Sequence, residues 1–208
     1  MKVSFRPTRY NASFVRNEFA PTFFTCIAAF LILTGIFTVV ACIKPEIFLD
    51  FVDSITSFFA SFGDYETSGN GETFALLFSS NVQATSTAAV YGLVPFFYTS
   101  AFVLGINSFS LVSAGVYFLQ GGNSLPAYLA GVLPHGIFEI PALLYACAIG
   151  ICHCRLTTRA ILRQEQPAPW RDQIVSLATV FVSVVVPLLL IAALVEAFIT
   201  PTVMGFFI

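Results

Sequence analysis

Apolar positions in this chain come in long blocks, not in the short alternations of a water-soluble fold. A helix that crosses a bilayer needs about 20 mostly apolar residues. Residues 22–43 form the first such block, and Lys44-Pro45 stops it, because proline disfavours helix at the residue before it. Residues 46–62 read differently. Ile47, Phe48, Phe51, Val52, Ile55, Phe58, Phe59 and Phe62 recur at helical spacing, while Asp50, Asp53, Ser54 and Ser57 take the other face. That pattern predicts an amphipathic helix in the membrane interface, and its acidic polar face suits contact with protein as well as lipid. A polar loop, residues 63–72, follows.

Residues 73–119 are apolar for too long to make one crossing. Gly92 and Pro95 mark a turn, so two helices are expected, about 73–91 and 95–119, with a re-entrant hairpin as the alternative. After the loop at 121–128, further blocks cover about 129–152 and 174–200. The reading is all-α: a polytopic membrane helix bundle of about five transmembrane helices plus one amphipathic interfacial helix. Residues 1–208 form a single membrane domain, with a basic N-terminus (1–21) and a basic segment (153–173).

Composition agrees with that class. Apolar residues make up 57% of the 208 and charged residues 10%, well under the roughly 25% of soluble domains. Mean hydropathy is +0.87. The five cysteines lie in or beside apolar blocks, which suits small hydrophobic side chains better than a disulfide framework. The first apolar block is too long for a signal-peptide core, so a retained first span is expected. Nothing points to nucleic acid.

Charge placement sets an expected orientation. Lys2, Arg6, Arg9 and Arg16 precede the first span, and Arg155, Arg159, Arg163 and Arg171 lie between the fourth and fifth. Five crossings put both basic segments on one side and the acidic segment around Glu46–Glu72 on the other. The positive-inside rule then predicts a multi-pass protein of the cell membrane, N-terminus cytoplasmic and C-terminus extracytoplasmic.

The string PHGIFEIPALL, residues 134–144, puts His135 and Glu139 one helical turn apart between Pro134 and Pro141. With Gly136 and Ala142, these residues resemble the signature of the stage II sporulation protein M family, with Ile140 where the family has Leu. Asn81 and Gly92 in SSNVQATSTAAVYG are similar to the family's second span. Asn107 resembles its second asparagine, although Ser108 replaces the usual Gly. Glu196 and Pro201 in LVEAFITP resemble its closing motif. The resemblance covers most of residues 75–201. It implies about five spans, an internal N-terminus, and a membrane scaffold rather than an enzyme. In that role the protein recruits peptidoglycan hydrolases for septal wall remodelling and engulfment in endospore formation, with stage II sporulation proteins D and P as partners. Family relatives also occur outside spore formers.

Ionisable groups inside a membrane are costly, so they face protein or water. Asn81, Asn107 and Glu139 are expected near mid-span and His135 with Glu196 in the outer third, all converging inside the bundle as a polar cluster, functional or structural. Pro134 and Pro141 each free a carbonyl one turn back, predicting a kinked, hydrated segment. No catalytic set emerges: His135 and Glu139 lack the second histidine of a zinc-protease motif, and no G-x-S-x-G is present. Neighbours in Cys152-His153-Cys154 point in different directions on a helix and lack a fourth ligand. The expectation is therefore no enzyme activity, no cofactor and no metal. The competing reading is a transporter or channel subunit using the Asn/His/Glu cluster. Arg155, Arg159 and Arg163 make one helix face basic, suited to anionic lipid. Gly105, Gly115, Gly131 and Gly150 permit close helix approach, within the chain or in a homodimer.

Overall fold

The computed structural model describes residues 11–60, 69–166 and 169–207; for 56–60 only the backbone course is described. Of the expected loop at 63–72, residues 63–68 lie outside the described residues and Asn70 already opens a helix, while Phe62 and the side chains of Ser57, Phe58 and Phe59 are also outside what is described. Helices account for nearly all of these residues. They are α1 (Ala12–Ile43, with a π-helical turn at Val15–Phe19), α2 (Glu46–Ala60), α3 (Asn70–Tyr91), α4 (Thr99–Gln120), α5 (Leu125–Ile161), α6 (Trp170–Phe198, with a π-helical turn at Phe181–Val185) and α7 (Thr200–Met204). No strand occurs among the described residues.

Four helices, α1, α4, α5 and α6, are long and apolar enough to cross a membrane. The helix in the expected second span, α3, has the length but not the apolarity. Its Ser79, Ser80, Thr85 and Thr87 hydroxyls each donate to a carbonyl three or four residues back on the same helix. Those bonds satisfy the polar atoms without outside partners, which is how so polar a helix lies against α5 and α6.

α5 is the centre of the bundle and packs against α1, α3, α4, α6 and α7. Half of its most apolar stretch is buried, against 17% for α1, whose Leu31, Ile32, Ile36, Val39 and Ile43 face outward. The buried face of α5 is built from small side chains: Gly136, Ala142, Ala146, Cys147, Ala148, Gly150, Cys152 and Cys154. The helix runs for 37 residues, roughly 55 Å, and continues through the expected aqueous segment as far as Ile161. Pro134 and Pro141 both sit inside it. α1 likewise begins at Ala12, ten residues before its expected crossing. Asn11 caps it, accepting from the Phe14 amide at 3.0 Å, and the Asn11 amide donates to Ser176 Oγ on α6 at 2.8 Å.

Lys44 ends α1 and the amphipathic helix α2 follows. α2 packs on α4: Phe48 is fully buried and stacks on Phe109 at 4.7 Å, and Phe51 meets the same ring edge-on at 4.9 Å. Asp50 and Ser54 face outward.

Between α3 and α4 the chain turns over residues 92–98, at the Gly92–Pro95 position expected. Phe96 (φ 69°) and Tyr98 (φ 46°) adopt the left-handed region, which bulky residues visit at a cost. The turn is held by three bonds: Phe96 N–H to Thr158 Oγ1 at 3.0 Å, Thr99 Oγ1 to the Tyr91 carbonyl at 2.7 Å, and Ser100 Oγ to the Ala88 carbonyl at 2.8 Å. It seats on Gly150 of α5 so closely that a Cβ there would overlap Ser100 Oγ and the Ala88 carbonyl, and a Cβ on Gly92 would overlap the Gly150 backbone. Gly115 and Gly131 also meet neighbours, Tyr128 and Met204, whereas Gly105 faces open space.

Gly150→Val should therefore force α3 and α4 away from α5. The expected loss is about 1–3 kcal/mol, read as a lower melting temperature of the detergent-purified protein. Gly105→Ala, on an open face, should leave it unchanged.

Candidate functional site

Two polar clusters lie at opposite ends of the bundle. The first grows from the central string of α5. His135 and Glu139, four residues apart, share a helix face, and Glu196 reaches them from α6 one turn before that helix ends. His135 Nε2 and Glu139 Oε2 are 3.9 Å apart, with side chains 15% and 36% exposed. One ligand atom from each of His135, Glu139 and Glu196 lies within 4.8 Å of the others. His135 Nδ1 is buried with no hydrogen-bond partner.

The structure thus brings together three of the five residues singled out from the sequence. Asn107 is half-buried and donates through Nδ2 to the Val103 carbonyl on its own helix at 2.9 Å. It sits on α4 between the Ser100 contact with Gly150 and the Tyr128 hydroxyl bond to the Leu111 carbonyl, at 2.7 Å. Asn81 is half-buried on α3, and its carbonyl accepts from Thr85 Oγ1 at 2.7 Å. Pro134 and Pro141 flank the His135–Glu139 turn within a helix that continues through both.

The second cluster was not foreseen. Glu18, in the π-helical turn of α1, accepts from Arg155 Nη1 at 3.2 Å and from Arg159 Nη1 at 3.4 Å. Arg155 Nη2 also donates to Thr22 Oγ1 at 3.1 Å. All three charged side chains are a quarter to a third exposed. The face expected to be free for lipid is therefore partly spent on clamping α1 to α5. A signal was present: Glu18 is the only acid before Lys44, and Arg155 and Arg159 are spaced i, i+4.

Cys152, His153 and Cys154 do not converge. Cys152 Sγ lies 4.0 Å from the Glu18 carbonyl on α1, while His153 Nδ1 lies 3.0 Å from the Ala89 carbonyl on α3, to which it donates.

Fold and clusters together define a multi-pass α-helical membrane protein with half-buried polar groups at both ends of one central helix. The stage II sporulation protein M family matches residues 23–201, and the chain belongs to that family. Membership makes it a sporulation-related membrane protein. Neither curated proteins nor solved structures give a match.

Glu18→Ala should leave Arg155 and Arg159 without their shared acceptor and loosen α1. The expected loss is about 1 kcal/mol, shrinking at high salt, as measured by thermal unfolding across a salt series. In the Arg155→Ala/Arg159→Ala background the same substitution should cost much less.

Proposed function

We propose that the protein is a non-enzymatic membrane scaffold that recruits peptidoglycan hydrolases for septal wall remodelling and engulfment during endospore formation. The family match over residues 23–201 carries this reading. Stage II sporulation proteins D and P are the partners it implies. The architecture supports it: the described chain is almost wholly helical bundle, with short connections in place of an aqueous domain.

Orientation follows from charge. Arg16, Arg155, Arg159, Arg163 and Arg171 cluster at the end of the bundle where α1 starts and α5 finishes, and Lys44 lies at the other. The positive-inside rule puts the basic end in the cytoplasm. The acidic face of α2, the helix α7 and the C-terminus then lie outside, on the side of the wall. A groove of about 550 Å³ between α2, α4, α5 and α7, lined by Phe51, Ile55, Tyr117, Tyr128 and Met204, opens at that same end.

Two experiments test this. With Cys42 replaced by serine, a membrane-impermeant maleimide should label Ser54→Cys in intact cells and Arg163→Cys only after lysis; the reverse pattern would invert the topology. A photocrosslinker at Asp50 of the tagged full-length protein should capture wall hydrolases in sporulating cells. Repeated capture of none would count against the scaffold role.

A further inference from the structure

The geometry points to a divalent transition-metal site formed by His135, Glu139 and Glu196, in which the ion cross-links α5 to α6. Two ligand atoms held about 2.1 Å from one ion stand roughly 3.4 Å apart at a tetrahedral angle and at most about 4.2 Å apart. The 3.9 Å between His135 Nε2 and Glu139 Oε2 falls inside that window, and it is too long for a hydrogen bond. The triad's ligand atoms lie within 4.8 Å of one another, so any pair beyond about 4.2 Å must draw together when the ion binds.

Charge argues in the same direction. Two carboxylates meet here among apolar helices, and no lysine or arginine of the described residues forms an ion pair with either. A divalent cation with two carboxylates and a neutral imidazole makes a site of zero net charge, the arrangement that a low-dielectric surrounding penalises least. Imidazole favours ions such as zinc, and carboxylates favour harder ions such as manganese, so the mixed set suits Zn²⁺ or Mn²⁺ over Ca²⁺ or Mg²⁺.

The other ring nitrogen of His135, Nδ1, is buried without a hydrogen-bond partner. In a neutral imidazole one ring nitrogen carries a proton and the other accepts. An ion at Nε2 would put the proton on Nδ1, the position from which a metal-bound histidine ordinarily donates to a carbonyl, carboxylate or water. The sequence groups His135, Glu139 and Glu196 by depth, but the ligand-atom distances between α5 and α6 come only from the fold. The ligand set also leaves room for water or a carbonyl to complete four-coordination. The ion's role is to hold α6 on α5 where α6 ends. Nothing in this inference depends on the scaffold reading.

The test uses the full-length protein in detergent, stripped with a chelator and then titrated with ZnCl₂ and MnCl₂. The wild type should bind one equivalent and melt at a higher temperature with the metal than without. Glu196→Gln and His135→Gln should each weaken binding by more than about 10-fold and abolish the metal-dependent shift. Cys152→Ala/Cys154→Ala should bind like the wild type. Wild-type protein that takes up neither ion, with a melting temperature indifferent to both, would overturn the site. Metal that disappears with the cysteines and survives Glu196→Gln would also overturn it. Because the wild-type titration decides by itself, a variant that fails to fold does not rescue the proposal.

Discussion

Hydrocarbon is as apolar as leucine, so helices inside it gain little by burying one more large side chain against each other. Association depends on how closely backbones approach. In this protein that constraint is met along α5, whose buried residues are mostly alanine, glycine and cysteine, with Leu143, Leu144, Ile149 and Leu156 among them. The tightest point is Gly150, where the turn joining α3 to α4 rests directly on the helix backbone. Every other long helix is placed by its contact with this helix, and the large apolar side chains of α1 are left for lipid.

With the middle of the bundle occupied by close backbone contact, polar chemistry collects at the ends. At one end Glu18 draws two arginines of α5 onto the first turns of α1. At the other, His135 and Glu139 of the same helix meet Glu196 of α6. Between them, hydroxyls on α3 bond their own helix backbone and ask nothing of neighbours. The same helix therefore carries the signature string of the stage II sporulation protein M family, the packing face and both charged junctions.

Much of this was legible before the fold was known. The helical period of Phe48, Phe51 and Val52 gave α2 and its packed side, because a repeat of that kind reflects one apolar surface, although Ile47 and Ile55 of the same stripe stay exposed. Lys44-Pro45 gave the end of α1, and the string around His135 and Glu139 gave the family. What was not legible depended on partners distant in sequence. Hydropathy reports where a helix is compatible with lipid, not where it stops, so α5 was cut at 152 and α1 started at 22. Glu18 read as one charge in a basic tail until α5 was found beside it. Glu196 shares an outer depth layer with His135 in the sequence, and their meeting follows that expectation; that Asn81 and Asn107 stay apart from them is a property of how the helices are paired. Asn107 turned to its own backbone, a choice open to any asparagine in a helix and invisible in a span read only by depth.

The length of α5 makes it a lever. A rod of roughly 55 Å in a hydrocarbon layer of about 30 Å stands some 25 Å proud of it. A lean of about 20°, ordinary for such helices, shifts the end of the roughly 14 Å beyond residue 152 sideways by roughly 5 Å. Because Glu18 ties the first turns of α1 to that projecting shaft, the tilt of one helix constrains the tilt of the other.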